Sequence, residues 1–130
     1  MEQYLRYVRD RLLTEHKVVE KALIQYLDML RSSLPKGSVS TEQLDRIFET
    51  LERYLVPHID FEEKEVLPLL RDEDLASELS REHDEILQVL RRAKRVEDVL
   101  KRMELLERLA NRLARHLEKE ETMMLPQILG

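Results

Sequence analysis

The chain has 130 residues, 42% apolar and 38% charged, with a formal net charge of −5. A core of that size needs no covalent staples, and the absence of cysteine excludes disulfides, thiolate metal sites and cysteine nucleophiles. Acidic and basic residues are interspersed, which excludes the basic stripe of a nucleic-acid binder, and no apolar run approaches the ~20 residues of a membrane span.

A single domain, residues 1–130, is expected. The start, "MEQYLRYVRDRLL", is too charged for a signal peptide, so the expected location is cytoplasmic. Residues 3–31 then place Leu5, Val8, Leu12, His16, Val19, Leu23, Leu27 and Leu30 on one helical stripe. "SSLPKGSVS" ends that helix with Pro35 and Gly37. Ser40 reads as the next N-cap, with Gln43 as its capping-box partner and Val39 and Leu44 as the flanking staple.

The second helix turns Leu44, Ile47, Leu51, Leu55, His58 and Glu62 inward, with Pro57 inside it, where a proline costs ~3 kcal/mol. Pro68 and "RDEDLAS" mark the next turn, with Asp72 or Asp74 as cap. Leu75, Leu79, His83, Ile86 and Leu90 form the third stripe. The turn after it lies within "RAKRVED", where no glycine or proline fixes it. The last stripe runs through Val99, Met103, Leu106, Ala110, Leu113, His116 and Glu120, ending near Pro126. Four amphipathic helices on short loops define an all-α, up-down-up-down four-helix bundle.

The two halves repeat. "HIDFEEKEVLP" at 58–68 matches "HLEKEETMMLP" at 116–126, and "EHKVVEKAL" at 15–23 matches "EHDEILQVL" at 82–90. The bundle is thus expected to be two similar helical hairpins, each with a histidine on its first helix and H-x-x-x-E-E on its second.

Each histidine falls on the apolar stripe of its helix. One such histidine is usually a satisfied core residue; four of four, with Glu62 and Glu120 one turn after His58 and His116, are not so easily absorbed. A buried carboxylate needs a cation, a proton or a partner, and no lysine or arginine falls at that depth. A metal centre satisfies His16, His58, Glu62, His83, His116 and Glu120 together. Imidazole and carboxylate suit iron, manganese or zinc. Two ions fit if Glu62 and Glu120 bridge them, and an added oxo or hydroxo bridge leaves each ion a position open to a small ligand.

These motifs, spanning nearly the whole chain, resemble those of the hemerythrin-like, or HHE cation-binding, family. The resemblance implies a non-haem di-iron centre in a four-helix bundle, held by His16, His58, Glu62, His83, His116 and Glu120. It also implies a ligand such as O2, NO or peroxide. Oxygen carriers of the family have an extra histidine one turn before the third-helix "EH", where this chain has Leu79. That departure points away from simple transport, toward four-histidine relatives linked to iron handling, nitric oxide or peroxide chemistry and iron–sulfur repair. The repair proteins usually carry a cysteine-bearing N-terminal segment, and this sequence has no cysteine.

Several acidic residues keep alternative readings. Glu20, four residues after His16, is a ligand, an acceptor for an imidazole N–H, or a solvent-facing edge residue. Glu121 can replace Glu120 as ligand, as in the carriers; otherwise Glu63 and Glu121 are rim acids or acceptors behind the ligands. Glu15 and Glu82, beside two histidines, point sideways on their helices. Tyr26, Tyr54, Met123 and Met124 read as packing. Competing classes are a ferritin-like carboxylate site, a ligand-dependent sensor or storage module, and a metal-free structural bundle. The first needs Glu-x-x-His, and Leu13, Leu55, Ser80 and Leu113 stand where that glutamate would be. Whether the protein is an enzyme is left open by the sequence.

Overall fold

The structure is a computed structural model describing residues 1–33 and 40–129. Its described elements are helical: α1 (Glu2–Ser33), α2 (Thr41–Phe61), α3 (Glu73–Arg95), α4 (Val99–Lys119) and a short α5 (Leu125–Leu129). The four long helices form a four-helix bundle, as the stripes require. None of the described helices is long and apolar enough to cross a membrane.

Local chemistry sets the helix ends. Ser40 and Gln43 form both halves of a capping box at the start of α2. Asp72 caps α3 by accepting from the Leu75 N–H, settling the choice between Asp72 and Asp74. The turn in "RAKRVED" lies at Val96–Asp98, and Asp98 caps α4 by accepting from the Leu100 N–H. The turn assigned to Pro35 and Gly37, and the staple residue Val39, lie outside the described residues, as does the side chain of Leu30.

The prolines behave less uniformly than their sequence context suggests. Pro57 sits within α2 without ending it. It faces solvent, where the carbonyl left without its N–H partner can be hydrated. Pro68 lies in a 3-10 turn, Leu67–Leu69, and the chain leaves helical geometry at Leu70. Pro126 does not stop the fourth helix as its position predicts. It lies in α5, which continues directly from the π turn that follows α4, so the chain stays helical past it.

Each histidine-bearing stripe crosses between two apolar clusters. One contains Val19, Leu23, Leu51, Leu55, Ile86, Leu90 and Leu113; the other contains Val8, Leu12, Phe61, Val66, Leu75, Leu79 and Met124. His16 lies between Leu12 and Val19, His58 between Leu55 and Phe61, and His83 between Leu79 and Ile86 in sequence, so the histidines mark the seam between the clusters. Arg102, which the stripes did not single out, is also buried. Its Nε donates to the Ala93 carbonyl at 3.0 Å and its guanidinium meets Asp45 at 2.8 Å, tying α2 and the end of α3 to α4.

Candidate metal centre

The fold brings all six expected residues together. His16, His58, His83, His116, Glu62 and Glu120 are all buried, both glutamates completely. They form two overlapping groups, His16–His58–Glu62–Glu120 and Glu62–His83–His116–Glu120. In each, one potential ligand atom per residue lies within 4.8 Å of the others. The glutamates belong to both groups. The imidazoles pair by hairpin, with ring centres 5.1 Å apart for His16 and His58 and 4.6 Å for His83 and His116.

The backbone changes character at the two shared carboxylates. Glu62–Val66 and Glu120–Met124 are π-helical turns, closed by N–H bonds from Leu67 to the Glu62 carbonyl and from Leu125 to the Glu120 carbonyl. Such i→i+5 turns are rare and concentrate at functional sites. With more residues per turn, the chain rotates less at each step. Adjacent acidic residues can therefore both address the interior side.

That is how the paired glutamates divide. Glu62 and Glu120 enter the centre, whereas Glu63 and Glu121 stay at the rim and bind the outer nitrogens of histidines on other helices. Glu63 lies 2.8 Å from His83 Nδ1 and Glu121 lies 3.2 Å from His16 Nδ1. Glu15 and Glu82 perform the same office within their own hairpins, at 2.5 Å from His58 Nδ1 and 2.8 Å from His116 Nδ1. An ionised carboxylate only accepts, so each Nδ1 carries the proton and donates. The sideways reading of Glu15 and Glu82 is thereby corrected: from position i−1 their side chains reach the histidine of the neighbouring helix.

Cations hold two of these acceptors. Arg11 Nε donates to Glu15 at 2.9 Å, with the guanidinium 3.7 Å from the Phe61 ring centre. Lys119 bridges Glu82 and Glu78. Ser80 donates to Glu63 at 3.2 Å.

With Nδ1 protonated, a neutral imidazole turns a bare Nε2 lone pair inward. Among the described residues, the buried side-chain nitrogen and oxygen atoms without a hydrogen-bond partner are eight: Nε2 of the four histidines and both carboxylate oxygens of Glu62 and Glu120. His58 Nε2 stands 2.7 Å from Glu62 and His16 Nε2 3.2 Å from Glu120, but without hydrogen-bond geometry. Native proteins rarely leave one such group unsatisfied; eight converging acceptors need a shared cation.

The protonation pattern shows the same strain. Burial lowers the pKa of His16 and His116. Burial also acts downward on His58 and His83, but Glu62, together with Glu15 at His58 and Glu63 at His83, outweighs it and both are raised. Burial pushes the Glu62 carboxyl up, while the neighbouring His58 and His83 more than reverse this and hold it at about 2.

Other singled-out residues fall outside the centre. Glu20 is exposed, the solvent-edge outcome. Glu121, partly exposed and on His16 Nδ1, is not placed as a substitute for the buried Glu120. Leu79 is fully buried among apolar neighbours. Met124 and Tyr26 pack against the core, whereas Met123 is exposed. Tyr54 is exposed too, lining a cavity of about 220 Å³ between α1 and α2 with Val18, Pro57 and His58. A second cavity, of about 360 Å³, lies between α3 and α4 against Glu82, Arg112 and His116.

An all-helical bundle with histidine and carboxylate side chains converging from all four helices defines a metal-binding class of domain. Comparison with protein families agrees: the model described as the Hemerythrin HHE cation binding domain matches residues 8–128. The chain belongs to that family. No curated protein and no solved structure gives a significant match.

Proposed function

We propose that the centre holds two iron ions and that the protein binds or reacts with O2, NO or hydrogen peroxide. His16 and His58 would hold one ion and His83 and His116 the other, with Glu62 and Glu120 available to both. The observation carrying this reading is the set of eight buried, partnerless acceptor atoms, divided into two groups that share both carboxylates. A single ion would leave one pair of imidazoles unsatisfied. A metal-free bundle would leave all eight atoms so, at a cost of roughly 1–3 kcal/mol for each buried group.

The donor set contains only imidazole and carboxylate, which fits iron and admits manganese or zinc. When bound, the iron pair supplies redox chemistry and coordination positions for a small ligand. The chain supplies the rest. Leu55, Leu79, Ile86 and Leu113 surround the seam with apolar surface and limit water. Glu15, Glu63, Glu82 and Glu121 keep each Nδ1 protonated, so that Nε2 is the free donor. The cavities beside His58 and His116 bring solvent-borne molecules against the outer edge of the centre.

The test is metal content and the visible spectrum of protein purified with iron, before and after anaerobic reduction and readmission of air. About two irons per chain, with a charge-transfer spectrum that bleaches and returns, is the expected result. A colourless protein that takes up neither iron, manganese nor zinc would overturn the proposal.

A further inference from the structure

Glu63 and Glu121 raise a question that metal binding by itself does not answer, because each serves a histidine of the opposite hairpin. We infer that they are positioning residues: by accepting the Nδ1–H of His83 and His16 across the hairpin boundary, they make each metal position depend on the docking of the two halves. The inference deepens the proposed function and rests on it.

The geometry is reciprocal. Glu63 follows Glu62 in the first hairpin and meets His83 of the second at 2.8 Å. Glu121 follows Glu120 in the second and meets His16 of the first at 3.2 Å. Each π turn therefore sends one carboxylate to the shared centre and the next to an imidazole of the other half. His58 and His116 are oriented from within their own hairpins by Glu15 and Glu82. His16 and His83 take their Nδ1 acceptor from the other hairpin, so that hold on the ring forms only once the halves meet. A free imidazole can present either nitrogen to a metal; a carboxylate on Nδ1 fixes the tautomer and aims Nε2 inward. The side chains of Glu63 and Glu121 are 35% and 38% exposed, so replacing either removes little packing.

The experiment is a zinc(II) titration against a competing chromophoric chelator, on the full chain and on Glu63→Ala, Glu121→Ala and the double variant. Glu63→Gln and Glu121→Gln retain a carbonyl acceptor at the same place, and Glu20→Ala removes an exposed glutamate also one turn from His16. Two tight zinc ions are expected in the wild type and in Glu20→Ala. One tight and one weakened by about 10–100-fold is expected in each single alanine variant, and none tight in the double variant. The glutamine variants should recover most of the loss. Wild-type zinc uptake with unchanged affinity in the alanine variants would overturn this inference alone, as would glutamine variants no better than alanine. A wild type that takes no metal would overturn the di-metal reading and this inference with it.

Discussion

His58 Nε2 and Glu62 Oε1 stand 2.7 Å apart, one helical turn from each other, both buried and without hydrogen-bond geometry between them. Glu15 accepts from Nδ1 on the far side of the ring, and the imidazole and the Glu62 carboxylate confront each other in a dry interior, raising the pKa of the one and lowering that of the other. The bundle tolerates that arrangement for what it can hold there.

His58→Leu separates a metal centre from a plain core. The substitution should remove the first metal position and lower bound iron to about one per chain or less, read by metal analysis of the purified variant. If the histidines were only core residues, it would leave the visible spectrum and metal content of the preparation as they were.

Glu120→Leu should act in opposite directions with and without metal. In chelator at pH 8, removing a buried carboxylate without a hydrogen-bond partner should stabilise the protein by about 1–3 kcal/mol in urea denaturation. In the presence of iron or zinc the same variant should lose the metal-dependent rise in melting temperature, because both positions share that carboxylate. A variant less stable than wild type in chelator would contradict this account.

In chelator, stability should peak near pH 6.5. The folded-state pKa of His58 and His83 is raised, so their contribution is complete below the ordinary value of 6.5 and is lost as pH rises through the folded value. His16 and His116 are lowered, so theirs is present above 6.5 and is lost as pH falls. Glu15, Glu62 and Glu82, all lowered from 4.5, add a further loss at more acid pH. Metal-loaded protein should instead continue to gain stability from pH 6.5 to 8, since ligation requires neutral imidazoles. Urea midpoints across pH, with and without zinc, give both curves.

Arg102→Met should cost about 1–3 kcal/mol without changing metal content. It removes the bond to the Ala93 carbonyl and the pairing with Asp45. It also touches Phe48 in the apolar cluster and none of the six central residues. Arg102→Lys should not restore the loss, since an ammonium cannot span the two acceptors as a guanidinium does. Denaturation midpoints and metal analysis together check it.

The helices were legible because apolar residues at 3.6-residue spacing must share a face, whatever they pack against. The same periodicity placed His16, His58, His83, His116, Glu62 and Glu120 inward, and the internal repeat showed that they come in matching sets. Capping chemistry is equally local, so Ser40 and Gln43 could be paired from the chain. Pro126 misled because a proline ends a helix or opens one according to the turn that precedes it, and a π turn leaves no clear mark in composition. Arg102 was hidden because its burial depends on acceptors from two other helices.

What the sequence determined by itself was therefore which residues face inward and at what depth along each helix, since backbone geometry alone dictates that. Where the second glutamate of each pair goes, crossing to a histidine of the opposite half, was decided only by the tertiary structure. Residues i and i+1 point roughly 100° apart on a regular α-helix, so an inward Glu62 leaves the partner of Glu63 open. The choice falls to the wider turn at Glu62 and to where docking brings His83. The repeat paired Glu15 with Glu82 and Glu63 with Glu121 as equivalent positions of the two halves. Only the packed bundle shows what joins them: each accepts a hydrogen bond from the outer nitrogen of a different histidine.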